Sequence, residues 1–318
     1  MLSANISLSG KSVVVVGACG FIGSHVVDML LAHDCKVTAI SRNTPGLIPP
    51  HVLENKNILL VNVDMRDKKS LINTFQDSDI VIHLASSSLP STSNLDPQAD
   101  VETNLIGSLN IFQACLENNV SRLIIVSSGG TVYGLPDSTP INENHSTNPI
   151  CSYGVVKLAI EKYAYLYQYL HNLNTIVLRL ANPYGERQRL NLAQGVIPAF
   201  LSRAINNQAV EIWGDGSTIR DFIYISDVVD AIKLACIFDG LENTFNIGSG
   251  TGLTLNQLIN IISEVQGNQL KVIYKMPRKF DVPTNVLSIE HAKKFLGWKP
   301  KISAYDGIMK YYRYLKLN

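Results

Sequence analysis

Near the start of the chain lies an unbroken apolar run, without the alternation of apolar and polar positions that a half-exposed strand shows. Four valines at residues 13–16 are typical of a strand that is buried on both faces, as the first strand of a parallel sheet is. Glycines follow at positions 17, 20 and 23, and apolar residues then recur at helical spacing as far as Leu31. This pattern predicts a strand, a tight turn and a helix.

Strand and helix patterns continue to alternate through the first half of the sequence. We expect further strands at residues 36–40, 58–63, 79–85 and 122–126, helices at 67–75 and 101–118, and polar loops at 42–57 and 86–97. Such alternation favours a doubly wound parallel sheet. Ligands bind at the carboxyl ends of its strands, which is where Gly17, Ala85 and Ser127 fall.

The pattern becomes irregular after about Leu180. Shorter strand and helix patterns remain at residues 210–213, 228–238 and 255–265. Glycine-rich turns interrupt them. We therefore predict an α/β protein with a Rossmann domain over residues 1–180 and a smaller α/β substrate lobe over 181–318. Segments around 220–248 are expected to return to the first domain.

Composition narrows the possible functions. A chain of 318 residues with 46% hydrophobic and 17% charged residues can bury a large core, and its net charge of +1 gives no reason to expect nucleic acid or a membrane surface as a partner. Residues 1–11 lack a signal-peptide pattern, and the five cysteines contain no C-x-x-C pair. These features predict a cytoplasmic protein. The scattered histidines predict no metal site.

The glycine turn is the first chemical signal. A Gly-x-x-Gly-x-x-Gly turn between a strand and a helix lets backbone approach a pyrophosphate, and the free N–H groups of the helix start favour its charge. An ordinary tight turn would use the same glycines. The position directly after a buried first strand favours the phosphate interpretation.

Tyr153 and Lys157 form the second signal. Their spacing of four places both side chains on one face of a predicted helix that runs to Tyr169. An ammonium beside a phenol stabilises phenolate, so we expect Lys157 to lower the pKa of Tyr153 and to make it a usable acid/base. The other tyrosines of this helix are interpreted as packing or interface residues: Tyr163, Tyr165, Tyr167 and Tyr169.

Together these motifs resemble the extended short-chain dehydrogenase/reductase family, within it the NAD-dependent epimerase/dehydratase group and most closely UDP-galactose (UDP-glucose) 4-epimerase. The resemblance covers almost the whole chain. Further matching segments are the active-site strand and loop at 126–134, the Asn182-Pro183-Tyr184-Gly185 segment, the stretch 213–222 and a late arginine and acid, Arg278 and Asp281.

The resemblance implies a role for each matching residue. Tyr153 would remove a proton from a sugar hydroxyl while hydride passes to the nicotinamide, with Lys157, Ser128 and Thr131 as the other catalytic residues. The nucleotide-diphosphate sugar would contact Ser128, Asn182, Val196, Arg220, Arg278 and Asp281. The cofactor would contact Gly17, Gly20, Phe21, Ile22, Gly23, Ser41, Arg42, Asp64, Met65, Leu84, Ala85, Ser86, Asn104, Tyr153, Lys157 and Pro183.

Several of these residues have a structural alternative. Arg220 and Arg278 could form surface or structural ion pairs with other protein groups instead of binding phosphate. Asp64 could cap a helix or close a turn, and Asn104 could be a buried packing amide.

The sequence departs from the family pattern at two places. Gly129 stands where similar epimerases have a third serine or threonine that bonds the reacting hydroxyl, so either Ser128 or Thr131 replaces it or that hydrogen bond is missing. Ser41 stands where an acid normally bonds the adenine ribose, and Arg42 follows it. This pair could bind a 2′-phosphate or a plain ribose, so the cofactor is NAD or NADP, with a slight preference for NADP.

The expected activity is 4-epimerisation of an NDP-hexose through a 4-keto intermediate. The alternative within the class is NADPH-dependent reduction of an NDP-4-keto-6-deoxyhexose, and the alternative outside it is an inactive dinucleotide-binding regulator. The resemblance and the apolar helices also imply a homodimer through residues 101–118 and 152–170, whose alternative is packing within a monomer.

Overall fold

The computed structural model describes residues 7–42, 44–190, 195–276 and 282–317. Its strands, in chain order, are β1 (Ser12–Val16), β2 (Lys36–Ser41), β3 (Ile58–Asn62), β4 (Ile80–His83), β5 (Arg122–Ser128), β6 (Thr175–Leu180), β7 (Asn182–Tyr184), β8 (Val210–Trp213), β9 (Ile219–Tyr224), β10 (Thr244–Ile247), β11 (Gly252–Thr254), β12 (Val272–Lys275) and β13 (Thr284–Asn285).

Helices connect most of these strands. The α-helices are α1 (Phe21–Ala32), α2 (Pro50–Leu53), α3 (Lys68–Thr74), α4 (Pro97–Asp100), α5 (Gly107–Glu117), α6 (Ser152–His171), α7 (Val196–Ile205), α8 (Ile225–Ile237), α9 (Leu255–Gln266) and α10 (Ala304–Leu317). A 3₁₀ turn spans Ser93–Leu95, and wider π-helical segments span Val101–Ile106 and Ala292–Leu296.

Seven parallel strands within the described residues form the main sheet, in the order β10-β6-β5-β4-β1-β2-β3. The strand order reverses at β1, so the carboxyl ends of β1 and β4 flank the crevice in which doubly wound sheets bind ligands. This sheet, with helices on both faces and a smaller sheet beyond it, confirms the predicted fold class.

The four valines of β1 explain why the sheet has two cores. Val13 and Val15 pack in the apolar core that also contains residues of α1 and α8. Val14 and Val16 face the other core, with residues of α3, α5 and α6. The strand therefore needs no polar face, because helices cover both sides of the sheet and all four valines are buried.

The C-terminal part contributes two smaller sheets. In one, β9 pairs with β7, β11 and β13, and in the other β8 pairs with β12. Asp221 of β9 is fully buried, and its carboxylate accepts hydrogen bonds from the backbone N–H groups of Ser249 and Leu287. The smaller lobe is thereby joined to the segment that follows β10.

Three segments differ from the sequence prediction. The expected loop at 42–57 contains the one-turn helix α2, which Pro50 can start because its missing N–H is not needed there. The polar stretch 86–97 contains the 3₁₀ turn and the start of α4. The expected helix at 101–118 begins with a π-helical segment, in which Asn104 is buried against the loop after β4.

Two surveys of the structure bear on the expected partners. Over the ranges that the structure describes, no helix combines the length and the apolar character that a membrane span requires. Within the same residues, no three His, Cys, Asp or Glu side chains are grouped so as to hold a metal ion.

Candidate active site

The glycine turn after β1 has no room for side chains. Gly17 has φ of 90°, and a Cβ there would lie 2.8 Å from the backbone N of Ala85. A Cβ on Gly23 would lie 2.2 Å from the carbonyl oxygen of Gly17. The first turn of α1, which contains Phe21 and Ile22, starts at Gly20 without a side-chain cap. Bare backbone and uncapped N–H groups therefore face the crevice, as a bound pyrophosphate requires.

The expected adenosine end lies beside this turn. Ser41 ends β2, and the side chain of Arg42 is exposed. Asp64 closes a turn by accepting a hydrogen bond from the Arg66 backbone at 2.9 Å, and its carboxylate pairs with the Arg66 guanidinium at 2.8 Å. Hydrogen bonding from Arg66 lowers the pKa of Asp64 to about 2. Of the roles considered for Asp64, the structure shows the turn, and Met65 beside it is buried.

Tyr153, in the first turn of α6, points its hydroxyl toward the carboxyl ends of β4 and β5. The side chains of Ser86 and Ser128 lie close enough to the phenol to lower its pKa. Leu84 and Ala85, between β4 and Ser86, lie against the glycine turn, since the N–H of Leu84 donates to Val16. The structure therefore brings the proposed acid/base, a serine partner and the dinucleotide turn to one edge of the sheet.

The expected effect of Lys157 on Tyr153 is wrong for the protein without a cofactor. Burial, together with Cys151 and Asp100, raises the pKa of Tyr153 to about 12. The Lys157 ammonium lies 5.7 Å from the centre of the Tyr153 ring, and it donates a 3.0 Å hydrogen bond to the Val126 carbonyl. Burial lowers the pKa of Lys157 to about 8. Desolvation thus outweighs the charge pairing that the spacing suggested.

The glycine at position 129 has a structural cause. A Cβ there would lie 2.6 Å from Cδ1 of Leu287, and the Gly129 carbonyl accepts a 3.2 Å hydrogen bond from Asn285. A serine would therefore collide with the segment after β13. Of the two hydroxyls expected to replace it, Ser128 lies beside the Tyr153 phenol, whereas Thr131 donates to the Ser128 carbonyl at 3.5 Å.

Asn104 is fully occupied by protein groups. Its amide N donates to Ser88 and to Asp100, and its amide oxygen accepts from the N–H of Ser87 at 2.9 Å. These contacts match the buried-amide alternative. Its expected contact with the cofactor stays a prediction.

Three of the six predicted substrate residues line one cavity. The cavity has a volume of about 330 Å³ and lies between α7, β7, β8 and β9. Its walls include four residues that the sequence singled out for the ligands: Asn182, Pro183, Val196 and Arg220. The Asn182 amide donates to the Asp221 backbone carbonyl at 2.7 Å, and the Arg220 guanidinium donates to the Ile219 backbone carbonyl. Arg278 and Asp281 lie outside the described residues.

Some site residues were not singled out in the sequence. Ser93, Asn94 and Asp100 contact the start of α6, and Glu161 and Arg179 form a buried ion pair beside Lys157. Only the spacing of four between Asp100 and Asn104, and between Lys157 and Glu161, could have suggested that these side chains share a helix face.

Residues 13–248 match the NAD dependent epimerase/dehydratase family. The chain belongs to this family. It is 36% identical to a putative UDP-glucose 4-epimerase of Methanocaldococcus jannaschii, over 96% of this chain and 99% of that protein. The match identifies the chain as an enzyme of the extended short-chain dehydrogenase/reductase type, in a group of nucleotide-sugar enzymes.

Two further relatives carry different names. A dTDP-4-dehydro-6-deoxyglucose reductase of Escherichia coli is 32% identical over 93% of this chain and 96% of its own. The crystal structure of Thermotoga maritima UDP-glucose 4-epimerase with UDP-glucose has a TM-score of 0.91 and 35% identity, covering 96% of this chain and 99% of that one. Family membership therefore leaves epimerisation and reduction to be distinguished by experiment.

The glycine turn gives a matched pair of variants. Gly23→Ala places a methyl group on the Gly17 carbonyl, so we expect a loss of about 1–3 kcal/mol in the free energy of unfolding, typical of overpacking. Gly20→Ala is the control, because its Cβ would approach only the Gly17 carbonyl, at 3.3 Å. Urea denaturation without added cofactor measures both. Equal midpoints for the two variants would contradict this account of the turn.

Proposed function

We propose that this enzyme is an NAD-dependent 4-epimerase of a UDP-hexose of the glucose/galactose type. The observation that carries the proposal is the position of Tyr153 beside Ser86 and Ser128, at the edge of the sheet that also holds the glycine turn. The cavity with Asn182 and Arg220 supports a diphosphate ligand, since a guanidinium can bond phosphate oxygens in pairs. Arg278 and Asp281 are proposed to complete its binding.

The residues of the turn and of the strand ends fit a dinucleotide. The backbone at Gly17, Gly20 and Gly23 would hold the pyrophosphate, and Tyr153 and Lys157 would border the nicotinamide. Bound NAD supplies a hydride acceptor and donor at that ring. Tyr153 takes the proton of the sugar 4-hydroxyl and later returns it, and Ser128 holds that hydroxyl in line. The buried Lys157 cation stabilises the Tyr153 phenolate during this transfer.

NAD suits an epimerase better than NADP. Such an enzyme returns its hydride to the sugar and consumes no reductant, and the family that the chain matches is described as NAD dependent. The preference for NADP that Ser41 and Arg42 suggested has no support in the comparisons. Arg42 is exposed beside the Asp64–Arg66 pair, so we propose that Ser41 bonds the NAD ribose.

A panel of sugar nucleotides tests the activity. We expect interconversion of UDP-glucose and UDP-galactose by the purified enzyme without added NADPH, because the hydride is returned in each turnover. UDP-, dTDP- and GDP-sugars, including an NDP-4-keto-6-deoxyhexose, are each incubated with and without NADPH, and the products are identified by chromatography. Stoichiometric NADPH oxidation with the 4-keto sugar, and no epimerisation, would establish the reductase instead.

Tyr153→Phe tests the acid/base. It removes one hydroxyl and little volume, so we expect turnover to fall by about 10²–10⁴-fold while NAD still binds. Tyr165→Phe is the control, because Tyr165 lies on the same helix with its side chain exposed. Initial rates and calorimetric NAD titrations compare the variants. Near wild-type turnover in Tyr153→Phe would remove Tyr153 from the mechanism.

We also propose a homodimer through α5 and α6. The outward face of α6 exposes large apolar side chains over its whole length, at Val155, Tyr165, Tyr169 and Leu170. Val101 and Ile106, just before α5, are exposed as well. Two such helix pairs can bury these side chains in a four-helix bundle around a twofold axis.

Charge placed on this face should separate the subunits. Wild-type protein is expected to scatter light as twice the 35.0 kDa of one chain, and the double variant Tyr169→Glu/Leu170→Glu as a single chain. Leu241→Glu is the control, since Leu241 is 98% exposed between α8 and β10. A wild-type mass of one chain at micromolar concentration would contradict the proposal.

A further inference from the structure

Helix α6, which carries Tyr153 and Lys157, does not cap its own N-terminus. Cys151, the residue before the helix, makes no side-chain capping bond. Two N–H groups of the first turn instead bond side chains of the 3₁₀ turn: Ser152 N–H donates to Asn94 Oδ1 at 2.8 Å, and Tyr153 N–H donates to Ser93 Oγ at 3.1 Å. A distant segment of the chain therefore supplies the cap that helices usually take from the preceding residue.

Asp100 extends this contact into the protein. Its carboxylate is 3% exposed and accepts a 2.9 Å hydrogen bond from the Ser152 hydroxyl. The other carboxylate oxygen accepts from Ser88 Oγ at 2.8 Å and from the Asn104 amide at 2.7 Å. A negative charge is favourable beside a helix N-terminus, where the N–H groups leave a partial positive charge. We call Ser93, Asn94 and Asp100 the helix clasp.

The clasp acts on both sides of the Tyr153 hydroxyl. On one side, it bonds the backbone of Tyr153 and of the residue before it. On the other, it bonds Ser88, two residues beyond Ser86, whose side chain lies beside the phenol. One buried carboxylate thus links the helix that carries the phenol to the loop that contacts it.

We propose that Asp100, with Ser93 and Asn94, is a positioning site that holds the Tyr153 hydroxyl against Ser86 and Ser128. The proposal rests on the proposed role of Tyr153 as acid/base. None of the three clasp residues is assigned to substrate or cofactor, so each acts through the place and charge it gives to Tyr153. A misplacement of ~1 Å at a reacting group costs about 100-fold in rate.

The charge of Asp100 also reaches the catalytic pair. It raises the pKa of Tyr153 and of Lys157. The other ionisable groups that face the pair are Cys151 beside Tyr153, Glu161 one turn beyond Lys157, and His83 of β4, whose pKa burial lowers to about 3. Asp100→Asn removes one negative charge from this set and leaves the shape of the side chain, so the pKa of Tyr153 should fall.

Four variants test the clasp: Asn94→Ala, Ser93→Ala, Asp100→Asn and, as a control, Asp96→Ala. Asp96 lies on the same segment but caps α4, where its carboxylate accepts from the Ala99 N–H at 3.0 Å. With UDP-galactose as substrate, we expect kcat to fall ~10–100-fold in the clasp variants, with KM within about threefold. The control should keep both constants.

Two readouts need no turnover. Hydrogen exchange of peptides covering residues 152–156 should become faster in Asn94→Ala and Ser93→Ala, and stay unchanged in Asp96→Ala. The second readout is the titration midpoint of Tyr153 with NAD bound, obtained from the ultraviolet difference between each protein and its Tyr153→Phe counterpart. This midpoint should fall by at least ~0.5 pH unit in Asp100→Asn. If UDP-galactose is not turned over, the proposed function fails while these readouts still test the clasp.

Unchanged exchange at 152–156 in Asn94→Ala and Ser93→Ala would overturn the proposal. So would faster exchange with unchanged kcat and unchanged Tyr153 titration, because the clasp would then stabilise the helix without positioning the phenol. If Asp100→Asn does not fold, Asn94→Ala and Ser93→Ala still decide the outcome, because neither changes a charge.

Discussion

A buried ion pair between Glu161 and Arg179 holds α6, the helix that carries Tyr153 and Lys157, on the sheet. Both side chains are more than nine-tenths buried, and the guanidinium bonds both carboxylate oxygens. Arg179 also donates to the Tyr133 hydroxyl at 2.9 Å, and Ser127 donates to Glu161. Two charges can leave water at this place only because each satisfies the other, and removal of either would leave the second unpaired at a cost of about 3–5 kcal/mol. The pair thereby fixes α6 to β5 and β6.

The position of Lys157 follows from this constraint. Lys157 lies one turn before Glu161 on α6, and its ammonium reaches the Val126 carbonyl of β5. The ion pair fixes α6 near its middle, and the helix clasp fixes its start. The positions of Tyr153 and Lys157 therefore do not depend on a surface loop alone. The loops after β4 and β5 then need only present Ser86 and Ser128 to a phenol whose place is already set.

The sequence pattern predicted the secondary-structure elements of the site, but not the contacts between residues that are far apart in the chain. Four valines, three glycines and a spacing of four between Tyr153 and Lys157 predicted the first strand, the turn and the helix α6. The clasp contacts join residues 52–60 positions apart, so no periodicity could reveal them. The direction of the Tyr153 pKa needed the burial of the phenol, and the reason for Gly129 needed the position of Leu287.

The contact between Gly129 and the segment after β13 bears on how the enzyme is made. Asn285, which bonds the Gly129 carbonyl, follows it by 156 residues, and Ile141 pairs with Leu287. A ribosome therefore releases Tyr153 and Lys157 long before it releases the residues that pack against the loop after β5. Contacts of such separation form late and slowly in folding. During synthesis the nascent chain can form the glycine turn while the loop after β5 still lacks its packing partner.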